Sequence, residues 1–180
     1  TNAALDSSKE AVTLCITMIG VMAFWTGIME IASRAGIIRM ASRKMRPLIR
    51  FLFPGLPEGH RAGEHITTNF IANFLGLGWA ATPAGLKAME ELEKLEEDRR
   101  SGKTFGPARR KGVASNEMCT FLIINISSLQ LIPMNVIAYR SQYGSPNPAA
   151  IVGAGIVATM VSTGAAVIFC RIMDRSGGRK

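Results

Sequence analysis

Two apolar stretches of this sequence carry polar side chains of the kind that bind a small solute or an ion without reacting with it. The stretches cover residues 65–86 and 118–139, and neither contains Asp, Glu, Lys or Arg. Amide and hydroxyl oxygens accept hydrogen bonds, and amide N–H groups donate to an anion or a polar solute. The candidate binding residues are Asn69, Asn73, Gly76, Gly78, Thr82, Asn125, Ser127, Ser128 and Gln130.

The first stretch contains the run NFIANFLGLGWAAT, which predicts a helix that breaks and restarts. Asn69 and Asn73 are one helical turn apart, so their amides share a face. The GLG run that starts at Gly76 predicts the end of this helix, and a new helix is expected to start near Thr82 or Pro83. Interrupted backbone at membrane depth is tolerated only where protein or a polar cavity satisfies it. We therefore expect a pore or pocket element here.

The second stretch is also interrupted, because Gln130 and Pro133 are unfavourable in a helix that faces lipid. A pair of interrupted apolar segments is typical of the binding site of secondary transporters, where half-helix N-termini face anions and freed carbonyls bind cations. Alternatively, the amides and hydroxyls only hold helices together, at about 0.6 to 2 kcal/mol for each interhelical hydrogen bond. The pairing of two interrupted segments favours a polar site.

The residues that could support catalysis or metal binding lack the necessary context. Ser127 and Ser128 do not lie in a G-x-S-x-G turn, and the chain has no G-x-x-x-x-G-K-[ST] loop for ATP. His60, Glu64 and His65 are spaced one residue too widely for the inverted zinc motif H-x-x-E-H. We therefore expect no enzyme activity, no metal site and no cofactor.

Long uncharged segments indicate that the chain is embedded in a membrane. Besides the two interrupted stretches, residues 11–29 and 149–170 are uncharged, and about 20 residues suffice to cross the hydrocarbon core. The predicted fold is all-α and polytopic, with two full transmembrane helices and two broken or re-entrant segments, joined by amphipathic cytoplasmic helices. Buried helices of a soluble protein are the alternative, but such helices normally keep a polar face.

The net charge of +8 arises from basic clusters between the apolar segments. Residues 34–61 contain seven Lys and Arg, residues 99–111 contain six, and residues 171–180 contain four. This distribution follows the positive-inside pattern, so we expect the inner membrane, with the basic loops and the C-terminus in the cytoplasm. No aromatic residues are interleaved with the arginines as base stacking requires, so nucleic acid is not an expected partner.

Three helices and one loop are predicted around these segments. A first helix over residues 8–33 is expected to follow a capping box of Ser7 and Glu10. For Glu30 near its end three placements are open, at the interface, paired with an arginine or facing the interior, and its position near the cytoplasmic end favours the interface. Residues 36–53 form an amphipathic helix on the inner leaflet, kinked or divided at Pro47. Residues 83–98 form a solvated helix, and residues 99–112 a mobile loop. The apolar stripe of the solvated helix is Leu86, Met89, Leu92 and Leu95.

These motifs resemble the spore maturation protein A family. Residues 76–92, GLGWAATPAGLKAMEEL, are similar to the family's GLGNAATP-x-GLKAM-x-EL, and NFIANFLG matches N-x-A-A-N-x-L-G with Asn69 and Asn73 in place. Residues 115–133, SNEMCTFLIINISSLQLIP, resemble S-N-A-M-C-x-F-L-x-I-N-x-S-S-x-x-L-I-P, and RPLIRFLFP resembles R-P-L-x-R-x-L-F-P. The resemblance covers roughly residues 11–173.

The resemblance implies one Gate-type, or nucleoside recognition, membrane domain over residues 1–180. It further implies a role in spore core dehydration, and a spore maturation protein B-like Gate protein or further copies of this chain as partners within the lipid bilayer. Two departures from the family pattern stand out. Trp79 replaces the usual Asn after GLG, and the extra apolar helix that usually begins family members is absent. The leading interpretation is a transporter- or channel-like component, and the alternative is a membrane scaffold that transports nothing.

Overall fold

The computed structural model describes residues 2–76, 78–127, 130 and 132–177, and these residues form helices and turns with no strand among them. The prediction of an all-α chain is therefore confirmed. The elements are α1 (Asn2–Arg34), α2 (Ile37–Leu52), α3 (Arg61–Phe74), α4 (Gly78–Arg100), α5 (Asn116–Ile126), α6 (Met134–Gln142), a 3-10 turn (Pro148–Ala150) and α7 (Ile151–Gly177).

The core lies where α2, α3, α4 and α5 meet. α3 and α4 form an antiparallel pair with the most extensive packing in the molecule, and α2 packs against α3. Three aromatic rings cross the core, with Phe70 6.3 Å from Phe53 and 6.1 Å from Phe121 between ring centroids. The buried cluster is Ile49, Leu52, Phe53, Ala62, Ile66, Phe70, Ala88, Leu92, Phe121 and Ile124. This core fixes the position of α3, which carries the first pair of asparagines.

The first helix begins earlier than its sequence predicts. α1 starts at Asn2, and Ser8 donates a hydrogen bond to the carbonyl of Ala4 over 2.8 Å, one turn back within the helix. The predicted capping box at Ser7 is therefore wrong, because the serines lie inside the helix, where hydroxyls bond to the preceding turn. At the other end, Glu30 pairs with Arg34 at 2.8 Å on the exposed surface, which confirms the pairing with an arginine.

α2 runs without a gap through Pro47, so of the two predicted effects of this proline the division of the helix is wrong, and the kink stays a prediction. Proline removes one backbone donor from a helix interior. The residues beyond it nevertheless stay helical, because Ile49 and Leu52 are buried in the core and hold the last turn in place. The arginines of α2 at positions 43, 46 and 50 remain exposed.

α4 begins at Gly78, so the predicted restart near Thr82 or Pro83 is several residues too late. Proline is tolerated near a helix start, where few intrahelical hydrogen bonds are lost, and Pro83 lies in the second turn of α4. The helix runs on to Arg100, so Arg99 belongs to α4 and is not part of a mobile loop.

The predicted stripe along α4 is correct at its C-terminal end only. Leu92 and Leu95 are almost fully buried and Met89 partly so, but Leu86 is 69% exposed. Each step of three residues falls short of a full turn in a helix with 3.6 residues per turn. Over the three steps from Leu86 to Leu95 this shortfall adds up to about half a revolution. Leu86 therefore lies on the opposite face from Leu95. Lys94 reaches Glu90 at 2.9 Å on the exposed face, as the i,i+4 spacing predicts.

Within the described part of the chain, one helical stretch is long and apolar enough to cross a membrane. It covers Pro148–Asp174 with a mean hydropathy of 2.0, and none of its most apolar window is buried against the rest of the molecule. Its exposed apolar surface suits contact with lipid. The second full span, expected over residues 11–29 of α1, stays a prediction.

Candidate functional site

The first break lies between α3 and α4, where Gly76 allows the chain to turn. α3 ends at Phe74, and the N–H of Gly76 donates to the carbonyl of Asn73 over 2.9 Å. Gly76 has φ +75°, a left-handed conformation that glycine adopts without strain. A Cβ at this position would also overlap the carbonyl oxygen of Ile132. The break therefore requires glycine for two reasons, its backbone conformation and its contact with the second interrupted stretch.

The second break separates α5 from α6, as the sequence predicts. α5 ends at Ile126 and α6 starts at Met134, with Pro133 just before it. The contact of Gly76 with Ile132 brings the two breaks together. The structure therefore joins two interruptions that lie more than fifty residues apart in the sequence.

Three asparagines form a chain of hydrogen bonds beside the two breaks. Nδ2 of Asn73 donates to Oδ1 of Asn69 over 3.2 Å and to Oδ1 of Asn125 over 2.8 Å. Nδ2 of Asn69 donates to the carbonyl of Ala81 in α4 over 2.8 Å. Asn69 is 3% exposed, and a Cβ on Gly85 would come within 2.9 Å of its Nδ2. Gly85 thus leaves room for the buried amide. The hydrogen bonds of the three asparagines connect α3 to both α4 and α5.

Helix α7 satisfies groups at the second break through two threonines that the sequence analysis did not single out. The hydroxyl of Thr159 lies between two carbonyl acceptors, that of Ile156 in its own helix at 3.1 Å and that of Gln130 at 3.3 Å. The hydroxyl of Thr163 lies 3.2 Å from that of Ser127. Ser127 also donates to the carbonyl of Ile124 over 2.6 Å. Threonines four residues apart on an otherwise apolar helix were the signal, because that spacing places two hydroxyls on one face.

The remaining predicted residues take different positions. Gly78 is the first residue of α4, and the space that a Cβ would occupy there is open. Thr82 is exposed and donates to the carbonyl of Gly78 over 3.0 Å, so its hydroxyl serves its own helix. Ser128 lies outside the described residues. His60, considered as a metal ligand, accepts a hydrogen bond from the N–H of Ala62 at 3.2 Å and caps α3.

This arrangement can recognise a polar solute through hydrogen bonds to the amide groups of the asparagines. Both N–H bonds of the Asn73 amide point to neighbouring asparagine oxygens. Asn73 and Asn125 are half-buried, whereas Asn69 is fully buried. A solute that reaches the breaks would meet Asn73 and Asn125 first, because these two side chains are half-buried. It can compete for the bond between them or bind to Oδ1 of Asn73 and Nδ2 of Asn125.

A buried ionic cluster outside the apolar segments was missed by the sequence analysis. Arg99 donates to Glu117 over 2.8 Å, to Glu96 over 3.4 Å and to the carbonyl of Gly55 over 2.5 Å. Glu96 also accepts from the backbone N–H of Arg109. In the sequence Arg99 opens a basic run, which suggested a solvated loop. The signal was the i,i+3 spacing of Glu96 and Arg99, which favours an ion pair on a helix.

The ionisation of this cluster follows from its contacts. Burial is the largest single influence on the Glu117 carboxyl and would raise its pKa, but the hydrogen bonds that the carboxyl accepts and the charge of Arg99 together outweigh burial and hold that pKa below its ordinary value. Burial is also the largest single influence on Arg99 and would lower its pKa, yet the hydrogen bonds to Glu117 and Glu96 and the charges of these carboxylates together keep the pKa of Arg99 above its ordinary value. Arg99 and Glu117 are therefore both charged in the folded protein. Their contacts hold α4, α5 and the turn around Gly55 together.

An all-helical chain with a long apolar span and two helix breaks joined by asparagines defines an all-α membrane protein with discontinuous helices. The Gate family, described as nucleoside recognition, matches residues 15–173, and the chain belongs to this family. It is 43% identical over 169 residues to spore maturation protein A of Bacillus subtilis (strain 168). The aligned residues cover 94% of this chain and 80% of that relative. No solved structure matches the chain.

Proposed function

We propose that this chain is a transporter- or channel-like component of a membrane, with a polar site for a small solute or an ion at the junction of its two helix breaks. The observation that carries the proposal is the hydrogen bond between Asn73 and Asn125, which joins the two interrupted segments. Discontinuous helices that meet in this way provide polar groups at membrane depth without exposing backbone to lipid.

The site would work by exchange of hydrogen bonds rather than by covalent chemistry. The proposed lining is Asn73 and Asn125 at the accessible end, with Asn69 and Ser127 buried behind them. Carbonyl groups freed by the break, such as that of Gln130, can add oxygen ligands for a cation. The side chain of Asn69 holds α4 in place through Ala81, so it would position the site.

The biological setting follows from the similar protein, which is named for spore maturation. We propose that this chain acts in spore core dehydration or maturation, in the inner membrane and with its basic loops on the cytoplasmic side. The distribution of Lys and Arg supports this orientation. One such module is small for a complete pathway, so a second Gate protein or further copies of the chain would complete it.

A scaffold that assembles membrane partners without transport is the second candidate. The observation that favours it is the pairing of the amides with each other, since both N–H bonds of the Asn73 amide already have protein partners. In that case the asparagines stabilise the helix packing, and the surface of α7 contacts another protein as well as lipid. The two candidates differ in whether the asparagine chain opens to a solute.

The test is flux through proteoliposomes that contain the purified chain together with any protein that co-purifies. Stopped-flow light scattering would follow shrinkage and recovery under gradients of KCl, glycerol and uridine. We expect recovery faster than in protein-free vesicles for at least one solute, and Asn73→Ala should change that rate. Asn135→Ala is the matched control, because Asn135 is an exposed asparagine on α6. Recovery equal to that of empty vesicles for every solute, with intact assembly, would support the scaffold.

A further inference from the structure

A groove of about 580 Å³ lies between α2 and α3, away from the helix breaks. Its volume falls within the range of about 300 to 1,000 Å³ that is usual for small-molecule sites. Ile49 and Phe53 contribute to its floor and are 8% and 1% exposed, so the floor belongs to the hydrophobic core. The groove is therefore supported by residues that cannot move without disturbing the core.

The two walls of the groove carry opposite charges. Arg43, Arg46 and Arg50 come from α2, and their spacing of three and four residues places them on one face. Glu58 and Glu64 come from the turn before α3 and from its first turn. The groove is thus a cleft with guanidinium groups on one side and carboxylates on the other.

One ion pair already closes part of this cleft, and the other charged groups are available. Arg50 and Glu58 are paired at 2.5 Å. Within the described part of the chain, no ion pair is formed by Arg43, Arg46 or Glu64. Two guanidinium groups and one carboxylate therefore face the groove without a charged protein partner.

We propose that this groove binds the headgroup of a zwitterionic phospholipid whose phosphodiester is linked to a primary ammonium. Arg43 and Arg46 would hold the phosphate, because guanidinium groups bind phosphate oxygens in a bidentate manner. Glu64 would accept hydrogen bonds from the ammonium. The proposal rests on the proposed function for the membrane location of the chain, and it uses the predicted position of α2 on the inner leaflet. It concerns a site separate from the helix breaks.

The carboxylate wall distinguishes this ligand from a purely anionic lipid. A headgroup with a phosphate and no cation would leave Glu64 without a partner beside a negative charge, which costs free energy. A quaternary ammonium, as in phosphatidylcholine, has no N–H to donate to that carboxylate. The headgroup of phosphatidylethanolamine satisfies both walls, because its phosphate pairs with the arginines and its primary ammonium with Glu64.

The test measures lipid retention by the full chain in detergent, by native mass spectrometry with equal amounts of phosphatidylethanolamine, phosphatidylglycerol and phosphatidylcholine. We expect phosphatidylethanolamine to be retained best, and the double variant Arg43→Gln/Arg46→Gln to bind it roughly tenfold more weakly, because two charge-assisted contacts are lost. Glu64→Gln should abolish the preference for ethanolamine while phosphate-containing lipids still bind. Lys44→Gln is the matched control, because Lys44 is a neighbouring cation that does not line the groove.

Three outcomes would overturn the proposal. The first is equal loss of lipid in Lys44→Gln and in the double variant, which would indicate general surface attraction. The second is tighter retention of phosphatidylglycerol than of phosphatidylethanolamine. The third is binding of soluble glycerophosphoethanolamine with no retention of the lipid, which would make the ligand a free solute. None of these measurements depends on flux, and unchanged unfolding temperatures of the variants would show that they fold.

Discussion

Asn73 and Asn125 are hydrogen-bonded at 2.8 Å although 52 residues separate them in the chain. The bond links α3 just before the first break to α5 just before the second. Buried amides away from water must find partners, because an unpaired amide loses its hydration without compensation. This pair therefore fixes how the two interrupted segments meet, and a solute bound at the proposed site would compete with this contact.

The coupling between these two asparagines is measurable by a double-mutant cycle. We expect Asn73→Ala and Asn125→Ala to show an interaction energy of about 0.6 to 1.7 kcal/mol in detergent or lipid unfolding experiments, the range for hydrogen bonds between membrane helices. A cycle of Asn73→Ala with Asn135→Ala is the control and should be additive, since Asn135 is exposed on α6. Additivity of the first pair would argue against a functional or structural link between the breaks.

Substitution by alanine should destabilise the fold at Gly76 far more than at Gly78. Gly76→Ala forces a left-handed residue and a Cβ against the carbonyl of Ile132, so we expect a loss of about 2 kcal/mol or more of unfolding free energy. Gly78→Ala adds its Cβ into open space at a helix start, so we expect a change within about 1 kcal/mol of zero. Thermal unfolding of the two variants would check this. Equal effects would contradict the assigned geometry of the break.

Arg99 should be among the most sensitive charged residues of the chain. Arg99→Met leaves Glu96 and Glu117 as buried carboxylates without their common partner, and we expect a loss of about 3 to 5 kcal/mol of unfolding free energy. The neighbouring Arg100 is exposed, so Arg100→Met should change stability by less than about 0.5 kcal/mol. Addition of Glu96→Gln and Glu117→Gln to Arg99→Met should recover part of the loss. A mild effect of Arg99→Met alone would mean that the cluster is hydrated.

The stability of the protein in acid should depend on Glu117. Its pKa is held below the ordinary value of about 4.3, so its ionised form stabilises the folded state at every pH above that value. This contribution is lost as the pH falls from about 4.3 through the lower pKa of the folded state. We expect the unfolding temperature of the wild type to fall more steeply between about pH 5 and pH 3 than that of Glu117→Gln. Glu97→Gln, at an exposed position, should follow the wild type.

Local patterns in the sequence were sufficient to predict the discontinuous helices. The GLG run predicted the end of α3, because glycine readily adopts the left-handed conformation that Gly76 takes. The spacing of Asn69 and Asn73 predicted a shared face, and these amides are indeed bonded to each other. The uncharged run that became α7 predicted a helix long enough to cross a membrane. The first two predictions depended on residues within about two helical turns of one another, and the third on one continuous run of the chain.

The start of α4 and its buried face were harder to predict, because packing overrides local preference. Proline favours a first turn, yet the chain returns to helix at Gly78 and leaves Pro83 in the second turn. Leu86 has the same side chain as Leu92 but faces away from the core. A helix spacing specifies which residues share a face, while its neighbours decide which face is buried.

The sequence by itself determined that the chain is all-α, where its apolar helices break and which residues carry amides at those breaks. Only the tertiary structure decided that Asn125 is the partner of Asn73, and that Arg99 lies buried between Glu96 and Glu117 instead of in a solvated basic loop. The physical reason is the distance along the chain over which each kind of interaction acts. Backbone conformation and helical spacing act between near neighbours in the chain, whereas a buried polar group must be satisfied by whatever group the folded core brings beside it.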